Sequence, residues 1–108
     1  MSEIPELVRK RAEKTIHGFC QQQINRSGLE YCLSSRKCDD GFEISATPCG
    51  QVTFVPLARL LFSCELGQWT LHRPRTENRW SYVPEAGGAL DMTRLIRYLE
   101  NDPLNIFW

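Results

Sequence analysis

The sequence predicts an α+β fold in which an N-terminal and a C-terminal helix pack on one face of an antiparallel meander sheet of four to five strands. Apolar residues recur every three or four positions near both ends of the chain, whereas apolar and polar residues alternate between them. The first pattern is typical of helices with one buried side, and the second of strands with one buried face. Tight turns separate the alternating runs, and short connections favour antiparallel neighbours.

Each end of the chain carries a helical pattern. The first predicted helix covers residues 4–24, where apolar side chains recur at helical spacing and most charged side chains lie elsewhere on the helix. The second covers residues 92–101, with Asp91 in the position of an N-cap. The aromatic tail Phe107-Trp108 is expected to complete the core, because burying such side chains stabilises the fold by roughly 1.5–3 kcal/mol each.

Alternating segments fill the middle of the chain. They cover residues 29–34, 42–47, 52–66, 69–73 and 79–83. Pro56 is expected to interrupt the third segment, since proline has no N–H for a ladder hydrogen bond. Trp69 and Trp80 are expected to form a cross-strand aromatic pair in the core, with Tyr82 on the same inner face.

Length and charge restrict the classes of protein that this chain can represent. Its 108 residues predict one domain over 1–108, large enough to fold without metal ions or disulfides. Thirteen Lys and Arg balance thirteen Asp and Glu, so the net charge gives no long-range attraction to nucleic acid or to anionic membranes. No apolar run approaches the roughly 20 residues that cross a bilayer. The first residues lack the features of a signal peptide, so a cytoplasmic protein is expected.

The cysteines are Cys20, Cys32, Cys38, Cys49 and Cys64, an odd number at irregular spacing without a C-x-x-C pair. Such a set is a poor disulfide framework, and small structural thiols are the main interpretation. A metal site built from Cys32, Cys38, Cys49 and His72, or redox regulation, remains as an alternative. The sequence predicts no metal ion and no cofactor.

Several segments spread over most of the chain resemble the bacterial family catalogued as domain of unknown function 3024. They are the N-terminal helix, Phe42-Glu43-Ile44, Pro56-Leu57-Ala58-Arg59, Gly67-Gln68-Trp69-Thr70-Leu71, Arg79-Trp80…Tyr82 and Asp102-Pro103…Phe107-Trp108. The two tryptophan strands and the Asp-Pro…Phe-Trp ending are the more specific of these. The resemblance implies a bacterial cytoplasmic protein and brings no activity, cofactor or catalytic residue.

The polar face of the sheet carries the first candidate site. Arg59, His72 and Arg79 are expected on that face, where they form a shallow polar surface for a protein or a small anionic ligand. No motif for catalysis occurs, and nothing in the sequence brings Cys64 and His72 together as a thiol–imidazole pair. We therefore predict a non-catalytic binding or protein-interaction module and not an enzyme.

Nucleic-acid binding is the alternative function. Arg73, Arg75, Arg79 and Trp80 surround one turn, and arginines beside an aromatic ring can hold phosphates and stack on bases. The zero net charge counts against this alternative. The segment around Pro56 is also expected to suit an edge strand, through which two copies of the chain can pair as a homodimer.

Overall fold

An antiparallel meander with a helix at each end of the chain confirms the predicted α+β class. A computed structural model describes residues 4–26, 28–76, 79–104 and 106–107. In chain order the elements are α1 (Glu6–Cys20), β1 (Gln23–Arg26), β2 (Leu29–Cys38), β3 (Gly41–Pro48), β4 (Val55–Ser63), β5 (Gln68–Pro74), β6 (Trp80–Tyr82), β7 (Gly88–Ala89) and α2 (Met92–Asn101). Strands β1 to β6 are neighbours in that order, and β7 also pairs with β5. The described sheet therefore has seven strands and not the four to five predicted.

The first helix is shorter than predicted. It ends at Cys20, and the next residues form β1, which pairs with β2 so that Ile24 lies opposite Tyr31. A single apolar residue at position 24 fits both a helical and an alternating pattern. The positive φ of Gly28, 81°, suits the tight turn between β1 and β2, which provides a local pairing partner. Cross-strand pairing therefore takes the place of the last predicted turn of the helix.

Strand β4 lies inside the sheet, between β3 and β5, so the predicted edge strand at Pro56 is wrong. The predicted interruption at Pro56 is confirmed by a shift of register between Ile44 and Ser45 of β3, where Ala58 and Pro56 are the respective partners. Proline cannot donate to the ladder, and the irregularity accommodates it without losing the strand.

The hydrophobic core lies between one sheet face and the two helices. Ile44, Leu60 and Leu71 come from three adjacent strands and have no exposed surface, and Leu95 and Leu99 of α2 are equally buried. Ala12, Ile16 and Phe19 of α1 belong to the same cluster. This arrangement is the predicted one, because each amphipathic helix needs an apolar face against which to pack.

The orientation of β6 differs from the prediction. Trp69 is buried, with 2% of its surface exposed, but Trp80 is only half-buried and Tyr82 is 47% exposed. Trp80 pairs with Pro74 and not with Trp69, so the predicted tryptophan pair is wrong. Val83 instead fills the inner position, where its N–H donates to the Leu71 carbonyl at 2.9 Å.

The second helix and the tail follow the predicted pattern closely. Asp91 caps α2 by accepting a hydrogen bond from the Thr93 N–H at 2.9 Å. At the other end Asp102 is buried, and its carboxylate accepts hydrogen bonds from the backbone N–H groups of Ile106 and Phe107. Phe107 packs against the core. Trp108, the other residue of the predicted tail, lies outside the described residues.

Candidate binding site on the outer sheet face

A row of polar and aromatic side chains crosses the sheet face opposite to the core. It runs through five adjacent strands in direct cross-strand register: Arg36, Glu43, Arg59, His72 and Tyr82. Directly opposite residues of antiparallel strands have Cβ atoms about 4.5–5.5 Å apart, so each member is a neighbour of the next. We call these five residues the outer-face row.

Glu43 is the buried centre of the row. Its carboxylate accepts one hydrogen bond from each of two guanidinium groups, from Arg36 Nε to Oε2 at 3.0 Å and from Arg59 Nε to Oε1 at 3.0 Å. The side chain of Glu43 is 7% exposed, that of Arg59 29% and that of Arg36 71%. A buried carboxylate requires such charged partners. In turn, this carboxylate holds the guanidinium of Arg59, the less exposed of the two arginines, in one position.

Arg59 also contacts an aromatic ring. Its guanidinium carbon lies 4.4 Å from the centroid of the Trp80 ring, which is the geometry of a cation–π contact. Two contacts of different kinds, one to a carboxylate and one to a ring, therefore fix the same guanidinium. This pre-organisation lowers the conformational entropy that Arg59 would lose on binding a ligand.

A cleft opens beside Arg59 where strands β4 and β5 stop pairing. The last pair at this end is Arg59 with His72; Pro56 and Pro74 lie beyond it, and neither has an N–H to extend the ladder. The cleft has a volume of about 340 Å³, and we call it the Arg59–Trp80 cleft. Its lining consists of Arg36, Glu43, Pro56, Arg59, Pro74, Arg75, Arg79 and Trp80. This described lining carries four arginines and one carboxylate, so it is electropositive.

His72 continues the outer-face row on the far side of Arg59. Its Nε2 atom lies 2.8 Å from the Thr70 hydroxyl, and its ring centroid lies 5.7 Å from that of Tyr82. Partial burial, and secondarily the positive charge of Arg59, hold the pKa of His72 below its ordinary value of 6.5. The folded structure therefore favours the neutral form of this imidazole.

This lowered pKa predicts how stability depends on pH. Because its pKa is lowered on folding, His72 binds a proton more readily in the unfolded chain than in the folded one, so the free energy of unfolding decreases as the pH falls from neutral to below the ordinary pKa of 6.5. We expect a shallower decrease in His72→Gln, measured by urea denaturation across that range. His17→Gln, which makes the same substitution on the exposed surface of α1, is the matched control. Equal slopes in all three proteins would contradict the role of His72.

The structure brings most of the predicted site residues together but leaves two of them out of the cleft. Arg59 and Arg79 line the same cleft, and His72 lies directly opposite Arg59. Of the alternative patch, Arg75, Arg79 and Trp80 line the cleft, whereas Arg73 does not. Arg73 alternates with Pro74 along β5 and pairs with Ser81. Sequence analysis did not identify Glu43 as the centre of this site or Arg36 as one of its partners.

Comparison with known proteins decides the family. The family model described as Domain of unknown function (DUF3024) matches residues 4–108. The chain belongs to this family. No curated protein and no solved structure matches it.

The segments that carry the family resemblance lie in different parts of the fold. Trp69, from one tryptophan strand, belongs to the core, while Arg79 and Trp80, from the other, line the cleft. Asp102 of the Asp-Pro…Phe-Trp ending binds the backbone of the tail. The ending is therefore structural in its described part. The second tryptophan strand contributes to the candidate site, together with Glu43, Pro56 and Arg59 from two others of these segments.

The alternative metal site is not assembled among the described residues of the DUF3024 chain, which contain no group of three or more His, Cys, Asp or Glu side chains placed to hold a metal ion. Cys32 and Cys49 lie together, with their sulfur atoms 2.7 Å apart. Cys38 lies at the opposite end of β2, where it pairs with Gly41, and His72 is on β5. Cys64 lies in the turn that connects β4 to β5, next to the Ser63–Gln68 pair, whereas His72 lies at the other end of this pairing.

Another depression of the DUF3024 chain lies between α1 and α2. It has a volume of about 470 Å³, and its lining includes Arg11 and Lys14 of α1, Asp91 just before α2, Thr93 of α2, and Trp69. Asp91 and the Thr93 N–H are already engaged in capping α2. The Arg59–Trp80 cleft is the better candidate, because its charged groups converge and one of them is held by two contacts. Within the described residues, no helix has the length and apolarity needed to cross a membrane.

Proposed function

We propose that this protein is a non-catalytic binding module that holds an acidic segment of a partner protein in the Arg59–Trp80 cleft. The observation that carries the proposal is the fixed guanidinium of Arg59, which Glu43 and Trp80 position at an electropositive opening. Guanidinium groups bind carboxylates through paired hydrogen bonds, and a pre-organised group binds with a smaller entropic cost.

The composition of the cleft supports binding over chemistry. Its described lining contains arginine, proline, tryptophan and one glutamate, but no serine, cysteine, histidine or lysine that would serve as a nucleophile. Glu43, the one carboxylate there, is held by two arginines. Pro56, Pro74 and Trp80 give the cleft rigid apolar walls, which suit a chain that alternates acidic and apolar groups.

A titration with a hexaglutamate peptide tests the proposal. We expect the indole N–H signal of Trp80 in a ¹⁵N correlation spectrum to shift on addition of the peptide, while that of buried Trp69 does not. Arg79→Glu should weaken binding at least about tenfold, because it reverses a charge at the cleft.

The matched control is Arg97→Glu, which makes the same change of charge on the exposed surface of α2, away from the cleft. Equal weakening by both variants would show attraction to overall charge, and an unshifted Trp80 signal at saturation would show binding elsewhere. Either result would contradict the proposed site.

Nucleic-acid binding is a second candidate, favoured by the aromatic side chains on this face. Trp80 stacks on Arg59, and Tyr82 is 47% exposed at the end of the outer-face row. Bases stack on such rings while arginines hold the phosphates. A single-stranded oligouridine that binds tightly, loses affinity steeply with salt and shifts the Trp80 signal would favour this candidate over an acidic peptide.

A further inference from the structure

Two cysteines meet on the outer face at the opposite end of β3 from Gly41. Cys32 lies on β2 opposite Thr47, and the Cys49 N–H donates to the Glu30 carbonyl at 2.9 Å, which continues the pairing of β3 with β2. The two residues are thus diagonal neighbours across an antiparallel pair. Their sulfur atoms lie 2.7 Å apart.

We propose that Cys32 and Cys49 form a reversible dithiol–disulfide site that exchanges with low-molecular-weight disulfides. The inference does not depend on the proposed binding function. A disulfide places its sulfur atoms about 2.05 Å apart, so the bond requires an approach of less than about 1 Å. The β2–β3 ladder already holds both backbones in register, so this approach needs only small adjustments of the side chains.

Accessibility and protonation both suit thiol–disulfide exchange. Cys32 is exposed and Cys49 is partly exposed, so a small disulfide can reach the pair from solvent. The hydrogen bond with Cys32 raises the pKa of Cys49 to about 11. Cys49 therefore keeps its proton at neutral pH and can share it with the neighbouring Cys32 sulfur.

The reaction balances with oxidised glutathione as the oxidant. The Cys32 thiolate attacks one sulfur of glutathione disulfide, which forms a mixed disulfide and releases one glutathione thiolate. Cys49 then loses its proton and attacks the Cys32 sulfur, which displaces the second glutathione thiolate. Two protein thiols are oxidised by two electrons, one glutathione disulfide is reduced to two thiols, and the protons end on the glutathione.

The bond would fasten the segment that leads from β3 to β4. Cys49 begins this segment, and Phe54 and Pro56 at its other end line a depression that also contains Arg36 and Glu43 of the outer-face row. A disulfide here closes the loop between positions 32 and 49 and restricts the unfolded chain. We expect the melting temperature of the oxidised protein to rise by roughly 10 °C.

Incubation in glutathione redox buffers, followed by peptide mapping and intact mass measurement, tests the proposal. Wild-type protein should lose about 2 Da, form a Cys32–Cys49 cross-linked peptide and recover both thiols with dithiothreitol. Cys49→Ser should instead keep glutathione on Cys32, because the resolving thiol is absent. Cys64→Ser, which removes an exposed cysteine outside the pair, is the matched control and should form the cross-link as the wild type does.

Two results would overturn the proposal. One is a wild-type protein in which glutathione stays on Cys32 although Cys49 is present. The other is cross-linking of Cys32 or Cys49 to a different cysteine in preference to each other. Circular dichroism of each variant shows whether it is folded. Since serine replaces cysteine at positions that are at least partly exposed, we expect native spectra.

Discussion

Replacing Trp69 with alanine should lower the free energy of unfolding by about 3–5 kcal/mol, the usual cost of removing a large aromatic side chain from a core. Trp69 is 2% exposed, and its ring centroid lies 5.1 Å from that of Phe62 and 6.1 Å from that of Phe42. Alanine would leave a cavity among these rings, because close-packed neighbours collapse only partially. Urea denaturation followed by circular dichroism measures the loss.

Trp80→Ala is the matched control, since the same side chain is removed from the outer face. Trp80 is half-buried, and its described partner is the Arg59 guanidinium. The loss should be about 1–2 kcal/mol, from the cation–π contact and partial burial. Equal losses at the two positions would contradict the assignment of Trp69 to the core and Trp80 to the outer face.

The contrast between the two tryptophans shows where pattern analysis reaches its limit. Along β5, Trp69 and Leu71 alternate with Thr70 and His72, so only one face is apolar and its orientation is predictable. In the segment that contains β6, Trp80 and Tyr82 occupy one face, but Val83 occupies the other. Both alternations are consistent with a strand, and packing of Val83 in the core decides between them.

Short strands were missed for a related reason. Strand β7 contains only Gly88 and Ala89, which pair with Thr70 and Trp69 of β5. Two residues carry no periodicity, and a Gly-Gly sequence indicates a loop. The helices, the order of the longer strands and the Asp91 cap were predictable because each depends on local sequence.

The candidate site depends on register, which the sequence does not specify. Arg59, His72 and Arg79 were expected on the polar face, but alternation alone does not tell which residue of β3 lies opposite Arg59. The bulge between Ile44 and Ser45 shifts the register of β3 against β4 by one residue. Glu43 therefore becomes the partner of Arg59 through a feature that only the three-dimensional pairing reveals.

Replacing Arg59 with methionine should lower the free energy of unfolding by about 2–4 kcal/mol, the second largest effect that we expect from a single substitution. Arg59 neutralises a Glu43 carboxylate that is nearly buried, and it contacts the Trp80 ring. Methionine keeps the apolar stem but leaves Arg36, whose side chain is 71% exposed, as the remaining cation paired with this carboxylate among the described residues. The cost is the partial loss of compensation for a buried charge.

Arg36→Met is the matched control, because it removes the other ion pair of the same carboxylate. Its exposed guanidinium should contribute less than about 1 kcal/mol.

Glu43→Gln combined with Arg59→Met should be more stable than Arg59→Met alone, since a neutral amide needs no cation. A double-mutant cycle between positions 43 and 59, measured by urea denaturation, gives the coupling, which we expect to be about 1–3 kcal/mol. Additive effects at the two positions, or equal losses in Arg36→Met and Arg59→Met, would contradict Arg59 as the principal partner of Glu43.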